Sequence, residues 1–329
     1  MTAYRAAVCT ALTGPDSIAI KQREAPPLKP GQVRVGIKSA GLNFPDLLMT
    51  YGKYQFRPDP PFVPGMDAAG DILEVAADVT HVAVGDRVMA GSKGGTFAEQ
   101  LVTVAEQCSL LPAALSYEDG SCWRTAAATA WNGLIERGRV KASETVFILG
   151  ASGGVGMAAV KLAKLEGAVV IGTGSTPEKR NLILNAGADF ALDPKDPDLA
   201  KRVKELTEGK GADVVYDPVG GDLAIAATRS IAFGGRYLII GFASGTVPSF
   251  PANHILIKTY EIIGVRAGES PRRDPDMAKR QNIALSKLAD LGALRPHISH
   301  RFNLEDVTAA LKTLENREVI GRAVINIAP

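Results

Sequence analysis

The chain has 329 residues, 46% of them hydrophobic and 22% charged, with 37 lysines and arginines against 35 acids and three cysteines. That length suits two domains with separate cores, and the near balance of charge gives no electrostatic reason for a nucleic-acid or membrane partner. Cys9, Cys108 and Cys122 are too few and too widely spaced for a disulfide framework or a metal cluster, and no apolar run approaches the roughly 20 residues of a membrane span, so a reduced, soluble, cytoplasmic protein is expected.

From Ala6 to about Val104, short β-rich segments such as Val33-Arg34-Val35-Gly36-Ile37 and Asp71-Ile72-Leu73-Glu74-Val75 alternate with turns such as Lys29-Pro30-Gly31 and Val84-Gly85-Asp86. This pattern predicts a distorted β-barrel domain. After a helical stretch near 125–137 the rhythm changes to strands alternating with helices, the mark of parallel βαβ units. Six strands are predicted over 145–149, 168–171, 189–192, 213–216, 236–240 and 261–265, because strands covered on both faces read as continuous Val/Ile/Leu runs. Ser175-Thr176-Pro177-Glu178 predicts a helix start, with a capping hydroxyl, then proline and an early acid. A basic helix follows near 278–291, then an amphipathic helix over 304–315 and a final strand, 323–327, that returns to the first domain. The expected fold is therefore α/β: a Rossmann doubly wound parallel sheet over 124–265, set into a β-rich catalytic domain of 1–123 and 266–329.

The first sheet strand runs into Gly150-Ala151-Ser152-Gly153-Gly154-Val155-Gly156 and then a helix. Glycines at this position let backbone amides approach a pyrophosphate whose charge the helix terminus favours, so Ser152, Gly153, Gly154 and Val155 are candidate cofactor contacts, and Gly156 permits close helix packing. An ordinary tight turn is the rival reading; the strand before, the helix after and the six-strand unit favour the nucleotide. The next strand ends Thr173-Gly174-Ser175, with no acid where NAD enzymes place a carboxylate on the ribose 2′-hydroxyl. Gly174 stands there instead, and Ser175, Lys179 and Arg180 offer a hydroxyl and cations to a 2′-phosphate. NADP(H) is the expected cofactor, against the alternative that Lys179 and Arg180 are only a solvated helix face.

With these motifs placed, the chain resembles, nearly end to end, the medium-chain dehydrogenase/reductase superfamily and specifically its zinc-free NADPH:quinone oxidoreductase, zeta-crystallin-like branch. The resemblance is carried by Ala40-Gly41-Leu42-Asn43-Phe44-Pro45-Asp46, Gly52-Lys53-Tyr54, Pro64-Gly65-Met66-Asp67-Ala68-Ala69-Gly70, Val84-Gly85-Asp86-Arg87-Val88, Gly95-Thr96-Phe97-Ala98-Glu99 and the glycine turn. Zinc members carry a cysteine where Asn43 stands and a histidine-glutamate pair where Met66-Asp67 stand, and a four-cysteine lobe is missing after Val88, so the resemblance implies no metal.

What the branch implies residue by residue is that Asn43 and Tyr54 line the cleft beside the nicotinamide and act as catalytic groups, donating hydrogen bonds as charge develops on the acceptor. Tyr54 competes with a plain packing role and Asn43 with a turn-forming one, while Asp46 reads as a solvated acid. Thr129 and the loop carrying Phe242 and Ser244 are expected on the cofactor, and Arg317 is implied as a further partner of the 2′-phosphate. A second cleft tyrosine of the branch would fall at Leu48 and a tyrosine near the adenosine phosphate at Pro194. Arg124 reads best as a surface partner of an acid. The implied reaction is hydride transfer from NADPH to a quinone or similar conjugated carbonyl, with an enoyl-thioester or 2-alkenal reductase as the rival enzyme, in which Arg272, Arg273, Lys279 and Arg280 would meet coenzyme A or else form a charged surface. A non-enzymatic NADPH-binding protein is the rival of another class. Residues 249–265 resemble the segment through which the branch forms homodimers.

Overall fold

The computed structural model describes residues 3–327, and its chain divides into two units, Met1–Arg124 with Ala289–Pro329, and Thr125–Leu288. In the first unit β1 (Ala3–Cys9) and β2 (Ile18–Glu24) form an antiparallel ribbon. The central strand β3 (Gln32–Gly41) turns Val33, Val35 and Ile37 inward, the period-two burial of a strand with one covered face. It pairs antiparallel with β4 (Asp67–Val75) along its length and with β6 (Gln100–Val104) along its first half; β5 (Arg87–Gly91) and β7 (Cys108–Leu110) extend the sheet beyond β4.

Between β3 and β4 lies a short helix, α1 (Phe44–Thr50); Pro45 in its first turn costs no hydrogen bond there. Helix α2 (Tyr117–Trp131) begins well before the expected 125 and continues as a π turn over Asn132–Arg137. Its start lies hard against the end of β3, since a Cβ on Gly41 would sit 2.1 Å from the Ser121 carbonyl oxygen.

The second unit holds six parallel strands: β8 (Thr145–Ile148), β9 (Val169–Thr173), β10 (Phe190–Leu192), β11 (Ala212–Asp217), β12 (Ile231–Ile239) and β13 (Glu261–Gly264). Their order across the sheet is β10-β9-β8-β11-β12-β13, which in strand sequence is the 3-2-1-4-5-6 arrangement of a dinucleotide-binding sheet. Helices α3 (Gly154–Leu165), α4 (Pro177–Asn185), α5 (Leu199–Leu206), α6 (Gly221–Thr228) and α7 (Ala252–Lys258) connect them. Val146, Phe147 and Ile148 of β8 are wholly buried, which is why the run carries no alternation; each such side chain contributes about 1.5–3 kcal/mol over an exposed one.

A short α8 (Ser270–Arg273) and a long α9 (Pro275–Asp290) complete this unit. Residues 266–288 group with the sheet unit and not with the β-rich domain expected for 266–329. The reason is local: Met277 is buried with its sulfur 3.8 Å from Asn132 Nδ2, and Arg280 pairs with Glu136. The chain then returns through β14 (Ile298–Asn303), a 3-10 turn (Leu304–Asp306), α10 (Val307–Glu315) and β15 (Arg322–Asn326), and β15 pairs parallel with β14 and antiparallel with β3. Among the described residues no helix is long and apolar enough to cross a membrane.

Candidate functional site

The glycine turn lies where the connections from the sheet part to its two sides, between β9 and β11 at the carboxyl end of β8, the place where open α/β sheets bind ligands. Gly150 takes φ +57°, and a Cβ there would meet Val219 of the turn after β11 at 2.8 Å. Thr173, at the end of β9, holds the turn: its hydroxyl accepts from Gly150 N at 2.9 Å and its carbonyl from Ala151 N at 3.1 Å. Nothing in the local pattern marked Thr173, because its role exists only once β8 and β9 lie side by side. Ser152, Gly153, Gly154 and Val155 are half-buried at the start of α3. A Cβ on Gly156 would sit 2.4 Å from the Gly150 carbonyl oxygen, whereas one on Gly153 meets nothing closer than 3.5 Å.

The end of β9 is shaped by α4. Thr176 caps that helix, its hydroxyl accepting from Lys179 N at 3.2 Å, with Pro177 next. A Cβ on Gly174 would press on Arg180 N and Lys179 C, both at 3.1 Å, so any side chain there would push α4 outward. Ser175 is exposed and Lys179 half-buried beside it. Arg180 donates to the Gly174 carbonyl at 2.9 Å and to Asp193 at 3.3 Å, so it is no loosely solvated cation. This strand end thus combines an absent side chain with basic groups, a chemistry that fits a phosphorylated ribose.

On the other side of the switch, Asp217 ends β11 buried. One carboxylate oxygen accepts from Val219 N and Gly220 N at 2.7 and 2.8 Å, and the other from the Tyr237 hydroxyl at 2.8 Å. Burial pushes its pKa up against those donors. The turn it fixes carries the loop after β12, because Ala243 N and Ser244 N bond the carbonyls of Pro218 and Val219 at 3.1 and 2.8 Å. Phe242 is exposed on that loop and Ser244 half-buried. Thr129, also half-buried, donates its hydroxyl to the Thr125 carbonyl at 2.7 Å. Replacing Asp217 by Ala leaves two amides without their acceptor and the Tyr237 hydroxyl with only its longer, 3.4 Å bond to the Ala224 carbonyl, so urea unfolding is expected to show a loss of about 2–4 kcal/mol. An unchanged midpoint would refute that assignment.

In the β-rich unit the branch residues form a buried ionic cluster. Asn43, Asp46, Asp67 and Arg322 are 4%, 0%, 6% and 5% exposed. Asn43 N donates to Asp46 Oδ2 at 2.8 Å, and Asn43 Nδ2 donates to Asp67 Oδ2 at 3.0 Å and the Gly41 carbonyl at 3.4 Å. Both amide hydrogens therefore have partners within the cluster, and the Asn43 side chain also forms a capping box with Asp46 at the start of α1. Asp46 is a core group, not a solvated acid. Burial pushes its pKa up to about 8, and its Oδ1 has no hydrogen-bond partner among the described residues, nor do Arg322 Nε and Nη2. Tyr54 lies half-buried in the loop after α1, and Arg317 is exposed just past α10 with φ +62°. Arg124, expected to meet an acid, instead donates to the Gln107 carbonyl at 2.7 Å.

Zinc does not suit this donor set. Asn43 and Asp67 are bonded to each other, the thiol of Cys122 is buried beside Arg322, and among the described residues no three His, Cys, Asp or Glu side chains group as metal ligands. The turn after β8 does fit a dinucleotide, with the half-buried start of α3 at its end and room at Gly153.

Residues 29–113 match the family model described as "Alcohol dehydrogenase GroES-like domain" and residues 154–281 that described as "Zinc-binding dehydrogenase". A "Quinone oxidoreductase-like protein 2 homolog" of Nematostella vectensis is 35% identical over 98% of this chain and 89% of its own length. A quinone oxidoreductase structure from Pseudomonas syringae superimposes with a TM-score of 0.89 at 30% identity, covering 99% of this chain and 100% of that one. A mycobacterial structure complexed with NADPH gives 0.90 at 28% identity, covering 98% and 99%. Two units of this architecture, a switch-point glycine turn and relatives spanning the whole chain lead to one assignment: the protein is an oxidoreductase of the medium-chain dehydrogenase/reductase superfamily, in its quinone-oxidoreductase-like group.

Proposed function

We propose that the protein reduces a quinone or similar conjugated carbonyl with NADPH and without a metal. The observation that carries the cofactor reading is the end of β9, where Gly174 excludes an acid and Ser175, Lys179 and Arg180 gather. The mycobacterial relative solved with NADPH supports it. Bound NADPH supplies the hydride. The chain's part is to hold the pyrophosphate on the first amides of α3, at Gly154 and Val155, with Ser152 and Gly153 alongside, and to take the 2′-phosphate with Ser175, Lys179 and Arg317. Thr129, Phe242 and Ser244 are assigned to the nicotinamide half.

For the acceptor we assign Tyr54 as proton donor and Asn43, held in place by Asp67, as the second polar group beside the nicotinamide. Tyr54→Phe is expected to lower kcat about 10- to 100-fold, limited because water can substitute, with the calorimetric Kd for NADPH unchanged. An unaltered kcat would remove Tyr54 from the mechanism. An enoyl-thioester or 2-alkenal reductase is the second reading. Against a coenzyme A phosphate site near 272–280, Arg272 and Arg273 pair with Glu269 at 3.5 and 3.0 Å and Arg280 with Glu136.

The test is NADPH oxidation with 1,4-benzoquinone, crotonyl-CoA and a 2-alkenal in parallel, with quinone expected fastest. A rise in Tm with NADPH but no oxidation with any acceptor would instead identify a binding protein. We also propose a homodimer through the segment ending in β13, whose outer edge has no partner strand among the described residues; light scattering at the mass of one chain would remove it.

A further inference from the structure

The acid missing from the end of β9 is supplied from the neighbouring strand. Gly174 N donates to the Leu192 carbonyl at 3.0 Å, so the ends of β9 and β10 lie side by side, and Asp193 follows β10 directly next to Gly174. One Asp193 oxygen accepts from Lys195 N at 2.9 Å, which anchors the carboxylate, and the other takes Arg180 Nη1 at 3.3 Å. The same guanidinium nitrogen donates to the Gly174 carbonyl at 2.9 Å. Where a ribose 2′-substituent is read in this fold, the chain therefore holds a cation and an anion against each other. Arg180 and Asp193 keep 25% and 40% of their side chains exposed, so a ligand can reach the pair and compete for it.

We propose that Asp193 is a selectivity-determining residue for the nucleotide, restraining the preference for NADPH over NADH. This rests on the cofactor reading above. A 2′-phosphate must draw Arg180 from Asp193 and stand near the carboxylate's like charge, while a 2′-hydroxyl can donate to Asp193 and leave the pair intact. The neutral amide of an Asp193→Asn variant frees Arg180 and removes the repulsion. Gly174 cannot take over the role, since a Cβ there would press on the α4 backbone.

Titration calorimetry of wild type, Asp193→Asn, Arg180→Ala and the double variant with NADPH and NADH decides the matter. Asp193→Asn is expected to raise the NADPH-over-NADH affinity ratio about fivefold, the upper range for an exposed ion pair, with the gain shrinking at high salt. In the Arg180→Ala background the same change is expected to yield a smaller gain. Both nucleotides binding with a ratio unmoved by Asp193→Asn, or moved toward NADH, would overturn this inference alone. Wild-type protein that binds neither nucleotide would overturn the cofactor reading and this inference with it. Circular dichroism of each variant secures the fold, and the partial exposure of both side chains makes its retention the expected result.

Discussion

Gly153→Ala and Gly156→Ala, three residues apart in one turn, are expected to fail in opposite ways. At Gly156 a Cβ would lie 2.4 Å from the Gly150 carbonyl oxygen and 2.8 Å from Ala151 Cα. Both are backbone atoms, so relief requires α3 to back away from the turn. Overpacking of this kind costs about 3 kcal/mol or more, and in a unit of this size that lowers Tm by roughly 6–12 °C. At Gly153, φ is −82° and the nearest atom to a Cβ is 3.5 Å away, so alanine costs under about 1 kcal/mol in stability. Its methyl group would nonetheless stand where a pyrophosphate approaches the amides, and NADPH affinity is expected to fall at least about tenfold. Differential scanning calorimetry and titration calorimetry read the two effects separately. If Gly153→Ala binds NADPH as tightly as wild type, the turn is an ordinary βα connection and the phosphate site lies elsewhere.

Stability is expected to fall as pH rises from about 4 to about 8, and Asp46→Asn is expected to flatten that fall. Burial is the main cause of the raised Asp46 pKa, which reaches about 8; Asp67 pushes the same way, while the Asn43 and Gly65 amides and Arg322 oppose it. The folded state then keeps a proton that the unfolded chain releases near pH 4, so unfolding releases a proton throughout this window. Each pH unit there costs up to about 1.4 kcal/mol of stability. The stabilisation is fully present below the unfolded pKa and is lost as pH passes the folded one. Asparagine retains an oxygen to accept the Asn43 amide hydrogen at the Asp46 position but cannot ionise. The variant should therefore overtake wild type by several kcal/mol at pH 8, read by urea unfolding at pH 4.5, 6 and 8. A constant difference between the two proteins across that range would show that Asp46 titrates normally.

What could be read from the residues was whatever depends on neighbours in sequence. The six sheet strands stood out as unbroken apolar runs because helices cover both faces, and Thr176-Pro177 announced α4 because capping is local. Strand β12 is expected from Arg236, at the head of the apolar run Tyr237-Leu238-Ile239-Ile240. It starts instead at Ile231 and carries the glycines as an irregularity, with Gly234 at φ +69° and the register to β11 shifted. The ionic cluster was beyond reach, because Asp46, Asp67 and Arg322 meet only through the pairing of β3 with β4 and β15. Asp46 looked solvated for want of that partner, and Asn43 looked like a donor until Asp67 claimed its amide. Asp217 and Thr173 escaped notice for the same reason, as each acts on a turn that a different strand brings beside it.

Metal-free hydride transfer from NADPH is checked by following NADPH absorbance with 1,4-benzoquinone, using protein dialysed against a chelator. Protein-dependent oxidation is expected, left intact by dialysis and slower with NADH at equal concentration. Activity lost on dialysis and restored by zinc, or no oxidation by protein that binds NADPH, would contradict it.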